Sequence, residues 1–190
     1  AAEAAYAAVL CYQKMYDQKY ANHADRKSKG LGPKGASEED TKAKKGEWEK
    51  FKPKELTPLQ KGMLQAFNRY VCYVKPEETD KEAMEQFIDV KYARARTYFE
   101  AQHWEEAAIA FRDIALNHSK VDAGIFAAQL YLEAINVLGS KAEPPRPECF
   151  TDMGKDVPSF LKLYCDGKKF EDNKEQCELL TQIQFDIERL

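Results

Sequence analysis

The sequence predicts an all-α protein, on three observations. Large apolar residues recur at three- and four-residue steps along most of the chain. No stretch sustains the period-two alternation of a strand, and no Asn-Gly or Asp-Gly hairpin turn occurs. Several periodic runs open on helix-start signals, as at Thr57-Pro58 and Thr79-Asp80. The 190 residues suit one domain with a real core, or one stretch of a longer helical stack. A hydrophobic fraction of 44% excludes wholesale disorder.

The first run, 1–20, repeats Tyr6, Val9, Leu10, Tyr12 and Tyr16 at helical steps. It reads as helix interior from its first residue, without a charged segment leading into an apolar one, so a piece of a longer or processed chain is expected. A polar insertion follows, 22–54, with Gly30, Gly32, Gly35, Gly46, Pro33 and Pro53. Trp48 and Phe51 near its end are expected to anchor it.

Thr57-Pro58 starts a helix that runs to Val74 and stops before Pro76. Asp80 opens the next, to about Ala101, and a turn at Gln102-His103 leads into Trp104 to about Asn117. Asp122 to Leu138 follows, closed by Gly139. Pro144, Pro145 and Pro147 then forbid helix. Asp152 to Tyr164 and Asn173 to Leu190 form the last pair, with Pro158 starting or kinking the former.

Lys91 to Asn117, KYARARTYFEAQHWEEAAIAFRDIALN, carries the sharpest local signal. It resembles one tetratricopeptide repeat. Ala95 stands at the small position of the first helix, with Tyr98 three residues on. Ala107 stands at the small position of the second helix, after the run His103-Trp104-Glu105-Glu106, and Phe111 follows it. The physical logic is close helix packing through small-into-large contacts. Lys91 stands where the family often has Trp, Arg94 where it often has Leu, and Ser119 where it has a closing proline. Asp122 to Leu138 resembles a further first helix, with Gln129 at the small position, and 1–16 resembles another. The whole chain distantly resembles large secreted or lipid-anchored tetratricopeptide-containing proteins of predatory and gliding bacteria.

The resemblance implies antiparallel helix pairs stacked as a right-handed solenoid, with one polar insertion. It also implies a concave groove lined by first helices. Carried over by position, the groove takes Asp89, Tyr92, Arg96 and Phe99 from the clearest repeat. The next first helix adds Ala123, Phe126, Leu130 and Glu133, and the N-terminal one adds Glu3, Tyr6, Leu10 and Gln13. Tyr6, Tyr92 and Phe126 fall at one repeat position, where groove-binders of a C-terminal carboxylate carry Lys and Asn. An aromatic groove with Arg96 as its main cation is therefore expected, suited to an extended peptide or an amphipathic helix. The alternative is that these aromatics, at helical spacing, are core.

The expected function is a protein–protein interaction scaffold. A helical regulatory or capping module of a larger enzyme, with its catalytic part elsewhere, is the second reading. No catalytic residue, cofactor or metal is assigned. His23, His103 and His118 form no helical metal pair, and no G-x-S-x-G elbow occurs. Glu105 and Glu106 are adjacent, so they point apart and suit a helix N-terminal dipole. Gly30-x-Gly32-x-x-Gly35 formally matches a dinucleotide fingerprint, but it follows Arg26-Lys27-Ser28-Lys29, not an apolar strand, and Pro33 interrupts it. The segment 26–54 holds ten Lys/Arg against five Asp/Glu, in a chain of net charge -3. Its charges are mixed and its aromatics few, so a solvated loop is expected and no nucleic acid partner.

Cys165 ends one helical run and Cys177 begins the next, across the polar turn Asp166 to Asn173. A disulfide there implies an oxidising, extracytoplasmic setting, periplasmic or lipid-anchored. Buried free thiols are the alternative, and the odd count of five cysteines leaves at least one over.

Overall fold

The computed structural model describes residues 2–19 and 48–188. Those residues form helices and connections, with no strand among them. In chain order the helices are α1 (Ala2–Lys19), a single turn α2 (Trp48–Phe51), α3 (Pro58–Tyr73), α4 (Lys81–Glu100) and α5 (Trp104–Asn117). They continue as α6 (Asp122–Ser140), α7 (Glu148–Tyr164), a short α8 (Lys169–Asp172) and α9 (Lys174–Glu188). The part of the polar insertion between Tyr20 and Glu47 lies outside the described residues.

Local chemistry sets the helix starts. The Thr57 hydroxyl accepts from the Gln60 N–H, while the Gln60 side chain accepts from the Thr57 N–H, and Pro58 occupies the first helical position. Asp80 caps α4 by accepting from the Ala83 N–H at 3.0 Å. Between α4 and α5, Gln102 takes a left-handed φ of 62° that turns the chain within three residues.

Two boundaries differ from the sequence expectation. Gly139 does not close α6, which runs on to Ser140. The Phe150 ring lies so near Gly139 that a Cβ there would come within 2.9 Å of it, so this glycine serves packing and not a stop. The last pair also starts earlier than Asp152: α7 begins at Glu148, directly after Pro147, and carries Pro158 inside it.

Each helix packs mainly on its chain neighbours. α1 lies on α3, α3 on α4, α4 on α5, α5 on α6, α6 on α7, and α7 on α9. Next-but-one contacts join α4 to α6 and α5 to α7. The apolar interior falls into two clusters. The larger one spans α4 to α7 and α9, around Phe111, Ile114, Leu132 and Phe160. The smaller one joins α1, α3 and α4 around Val9, Phe67, Tyr70 and Val90. Tyr98 touches both clusters from α4. Ala95 and Ala107, the small positions of the repeat-like segment, are wholly buried.

Two polar clusters tie the larger half together. The Arg112 guanidinium grips buried Asp156 through Nε at 2.7 Å and Nη2 at 2.8 Å, and the Tyr131 hydroxyl donates to the same carboxylate at 2.5 Å. Burial pushes the Asp156 carboxyl up, but these bonds outweigh it and hold the group below the usual range. Buried Lys91 reaches Asp113 at 2.5 Å and donates to His118 Nε2 at 3.0 Å. Burial, and then the Lys91 charge, hold His118 below its ordinary pKa, so its ring is the acceptor.

Cys165 and Cys177 form a disulfide that bridges the end of α7 to the start of α9. The other three cysteines, Cys11, Cys72 and Cys149, are free thiols.

Candidate functional site

The seam between the two apolar clusters opens into a groove of about 410 Å³. Three helices supply its walls with residues at helical spacing. α1 presents Tyr6, Leu10, Gln13, Tyr16 and Asp17. α4 presents Asp89, Tyr92, Ala93 and Arg96, and α6 presents Ala123 and Phe126. Met63 and Phe67 of α3, with Val90 and Thr97 of α4, lie along the same cavity. Its size falls in the range of peptide and small-ligand sites, and its lining is mainly apolar with few polar groups.

The aromatic walls are held by contacts behind them. Tyr6 packs on Tyr70 with ring centres 5.7 Å apart. Tyr92 stands edge-on to Phe111 at 5.5 Å. Burial raises the Tyr92 pKa against the opposing pull of nearby Arg96. Phe126 has no such cover and is 40% exposed, and Leu10 across the groove is 47% exposed. The Arg96 guanidinium is already engaged: it donates to Glu100 at 2.9 Å, and the two side chains are 13% and 17% exposed.

Of the twelve groove residues expected from the repeat resemblance, Tyr6, Leu10, Gln13, Asp89, Tyr92, Arg96, Ala123 and Phe126 line this one cavity, and Glu3 does not. Phe99 and Leu130 do not, and both are buried in the larger cluster. Phe99 shares the face of Tyr92 but lies beside the α4–α5 turn, where it faces Trp104 and Phe111 at 5.0 and 6.0 Å. Leu130 keeps the stripe of Phe126 but lies one turn deeper, where the core covers it. Glu133, half-buried, stands outside the lining, and burial pushes its carboxyl up to about 7. Asp17, Met63, Phe67 and Thr97 belong to the groove and were not expected there.

A second, smaller cavity of about 260 Å³ lies at the α4–α5 turn, between Trp48, Trp104, Glu105, Glu106 and Arg146. The end of the polar insertion is tied down beside it. The Trp104 indole donates to the Phe51 carbonyl at 2.7 Å, the Gln102 amide to Lys50 at 2.8 Å, and the Lys54 N–H to Ala101 at 2.9 Å. Trp48 and Phe51 both pack on the larger cluster, so the insertion ends in an anchored strap and not in a free loop.

Among the described residues, no group of three or more His, Cys, Asp or Glu is placed to hold a metal ion. Among them too, no helix is long and apolar enough to cross a membrane. No protein-family model matches the chain, and no curated protein or solved structure matches it either.

Proposed function

We propose that this chain is a tetratricopeptide-like interaction module that holds a segment of a partner protein in the groove between α1, α4 and α6. One observation carries the proposal. Tyr6, Tyr92 and Phe126, far apart in sequence but equivalent in the repeat reading, line one cavity. The packing scheme supports the solenoid reading. Each of α1/α3, α4/α5 and α6/α7 is a packed pair, and the three-residue turn between α4 and α5 forces that pair antiparallel. Contact between α4 and α6, the first helices of successive pairs, is what stacking of such units requires.

The groove suits an apolar anchor. Phe126 and Leu10 stand partly in water on facing helices, and exposed large apolar side chains around a concavity mark a binding surface more than a finished core. The Cys165–Cys177 disulfide supports an extracytoplasmic setting for the module, since such bonds persist where the surroundings are oxidising.

The test is selection of a random peptide library on the full chain, followed by affinity measurement on Phe126→Ala. Removing a ring from a peptide anchor site costs about 1.5–3 kcal/mol, so affinity is expected to fall about tenfold or more. The melting temperature is expected to stay within a few degrees, because Phe126 is 40% exposed. Undiminished binding by Phe126→Ala, or loss only through unfolding, contradicts the proposal.

A further inference from the structure

We propose that Lys91, Asp113 and His118 form an acid-sensitive latch, which fastens the turn after α5 to α4 at neutral pH and releases it in mildly acidic surroundings. Lys91 is 7% exposed and cannot turn its ammonium to water. It lies over the Phe87 ring at 5.3 Å, reaches Asp113 at 2.5 Å and meets His118 Nε2 at 3.0 Å. An ammonium has donors and no acceptor, so this last bond exists only while Nε2 keeps its lone pair and the ring proton sits on Nδ1. Protonating the ring removes the acceptor and sets two cations 3.0 Å apart. Asp113 brings one negative charge against the two, and both its oxygens are engaged, Oδ2 by Lys91 and Oδ1 by the Asn117 amide at 2.7 Å.

Among the described residues, the charges that act on the His118 ring are Lys91 from α4 and Asp113 from α5. From α7, the Tyr164 hydroxyl borders Gly124 together with the His118 carbonyl, and it donates to the Ala115 carbonyl. Burial raises the Tyr164 pKa, so that group carries no charge at neutral or acidic pH. Lys120 in the turn and Asp122 at the start of α6 are exposed. Burial, and then the Lys91 charge, hold the His118 ring below its ordinary pKa, so the unfolded chain takes the proton first. Stability therefore falls as pH drops below the unfolded value of about 6.5, and the loss is complete below the folded one. Lys91 lies between Val90 and Tyr92, and the fastened turn leads into Ala123 and Phe126, so the latch joins the segments that carry two walls of the groove.

The experiment compares the full chain with His118→Gln, whose amide oxygen offers Lys91 an acceptor and takes no proton. Urea unfolding is followed from about pH 7.5 to about pH 5, and titrations shared by both proteins cancel in the comparison. Relative to the variant, the parent's unfolding constant is expected to rise by up to about tenfold per pH unit below about 6.5. A ratio that stays flat across that range overturns the latch. Amide exchange, corrected for its intrinsic pH dependence, reads the release itself. The Val121 and Gly124 amides, bonded to the His118 and Val121 carbonyls, are expected to exchange faster at the acidic end in the parent and not in the variant. Equal protection at both ends in the parent contradicts the release. Nitrogen-15 resonance of the unmodified protein tests the switch even where the variant fails to fold. The His118 ring is expected to show an accepting Nε2 and to stay mostly neutral at pH 6.5, whereas a ring half protonated at or above that pH in the folded protein overturns the proposal.

Discussion

Single residues set the balance between core and groove here. Asp156 is the clearest structural case, a buried carboxylate satisfied by Arg112 and Tyr131 from two other helices. Asp156→Asn leaves a guanidinium without its counter-charge, and because Arg112 is itself half exposed the expected loss is about 2 kcal/mol rather than the full cost of a broken buried pair. The group's folded pKa is depressed, so its contribution is complete above the unfolded value of about 3.9 and fades as pH falls through the folded one. Denaturant unfolding at pH 7 and pH 3 checks this, with the gap between parent and variant expected to shrink at pH 3. Glu133 has the opposite sign. Burial raises its carboxyl to about 7, so ionising it costs stability that is absent below about 4.5 and fully felt above about 7. Glu133→Gln is expected to stabilise the protein by up to about 3 kcal/mol at pH 8 and by almost nothing at pH 4, read as the shift in urea midpoint.

At the scale of elements, local signals were legible and distant ones were not. The Thr57-Pro58 start of α3 and the Asp80 start of α4 are written in adjacent residues, and both caps form. The start of α7 was hidden because Pro147 stands just before the helix, where a missing N–H costs nothing, and Pro158 is carried within it. The Arg112–Asp156 and Lys91–Asp113 bonds join residues with no shared local pattern, so periodicity could not announce them. The bridge between α7 and α9 gives this scale its own test. Cys165→Ser opens a link of sequence separation 12 and is expected to cost about 3 kcal/mol on the chain-entropy estimate. A thiol reductant is expected to lower the melting temperature of the parent protein and leave that of Cys165→Ser unchanged.

At the scale of the molecule, the groove was legible in part because the repeat resemblance assigns residues of different helices to equivalent faces. That reasoning found Tyr6, Asp89, Tyr92, Arg96 and Phe126, which share one cavity. It failed at Phe99 because that ring lies beside the α4–α5 turn, where Trp104 and Phe111 enclose it. It also missed Met63 and Phe67, since the repeat pattern gave no register for α3.

The proposed seat of a partner segment is one apolar groove, walled by α1, α4 and α6. Nuclear magnetic resonance shift mapping of the protein with a library-selected peptide tests it most directly. The largest shifts are expected on Tyr6, Leu10, Tyr92, Arg96 and Phe126, which line that cavity. Shifts centred instead on the Trp48 and Trp104 cavity, or on the outward face of α5 around exposed Ile109, contradict it.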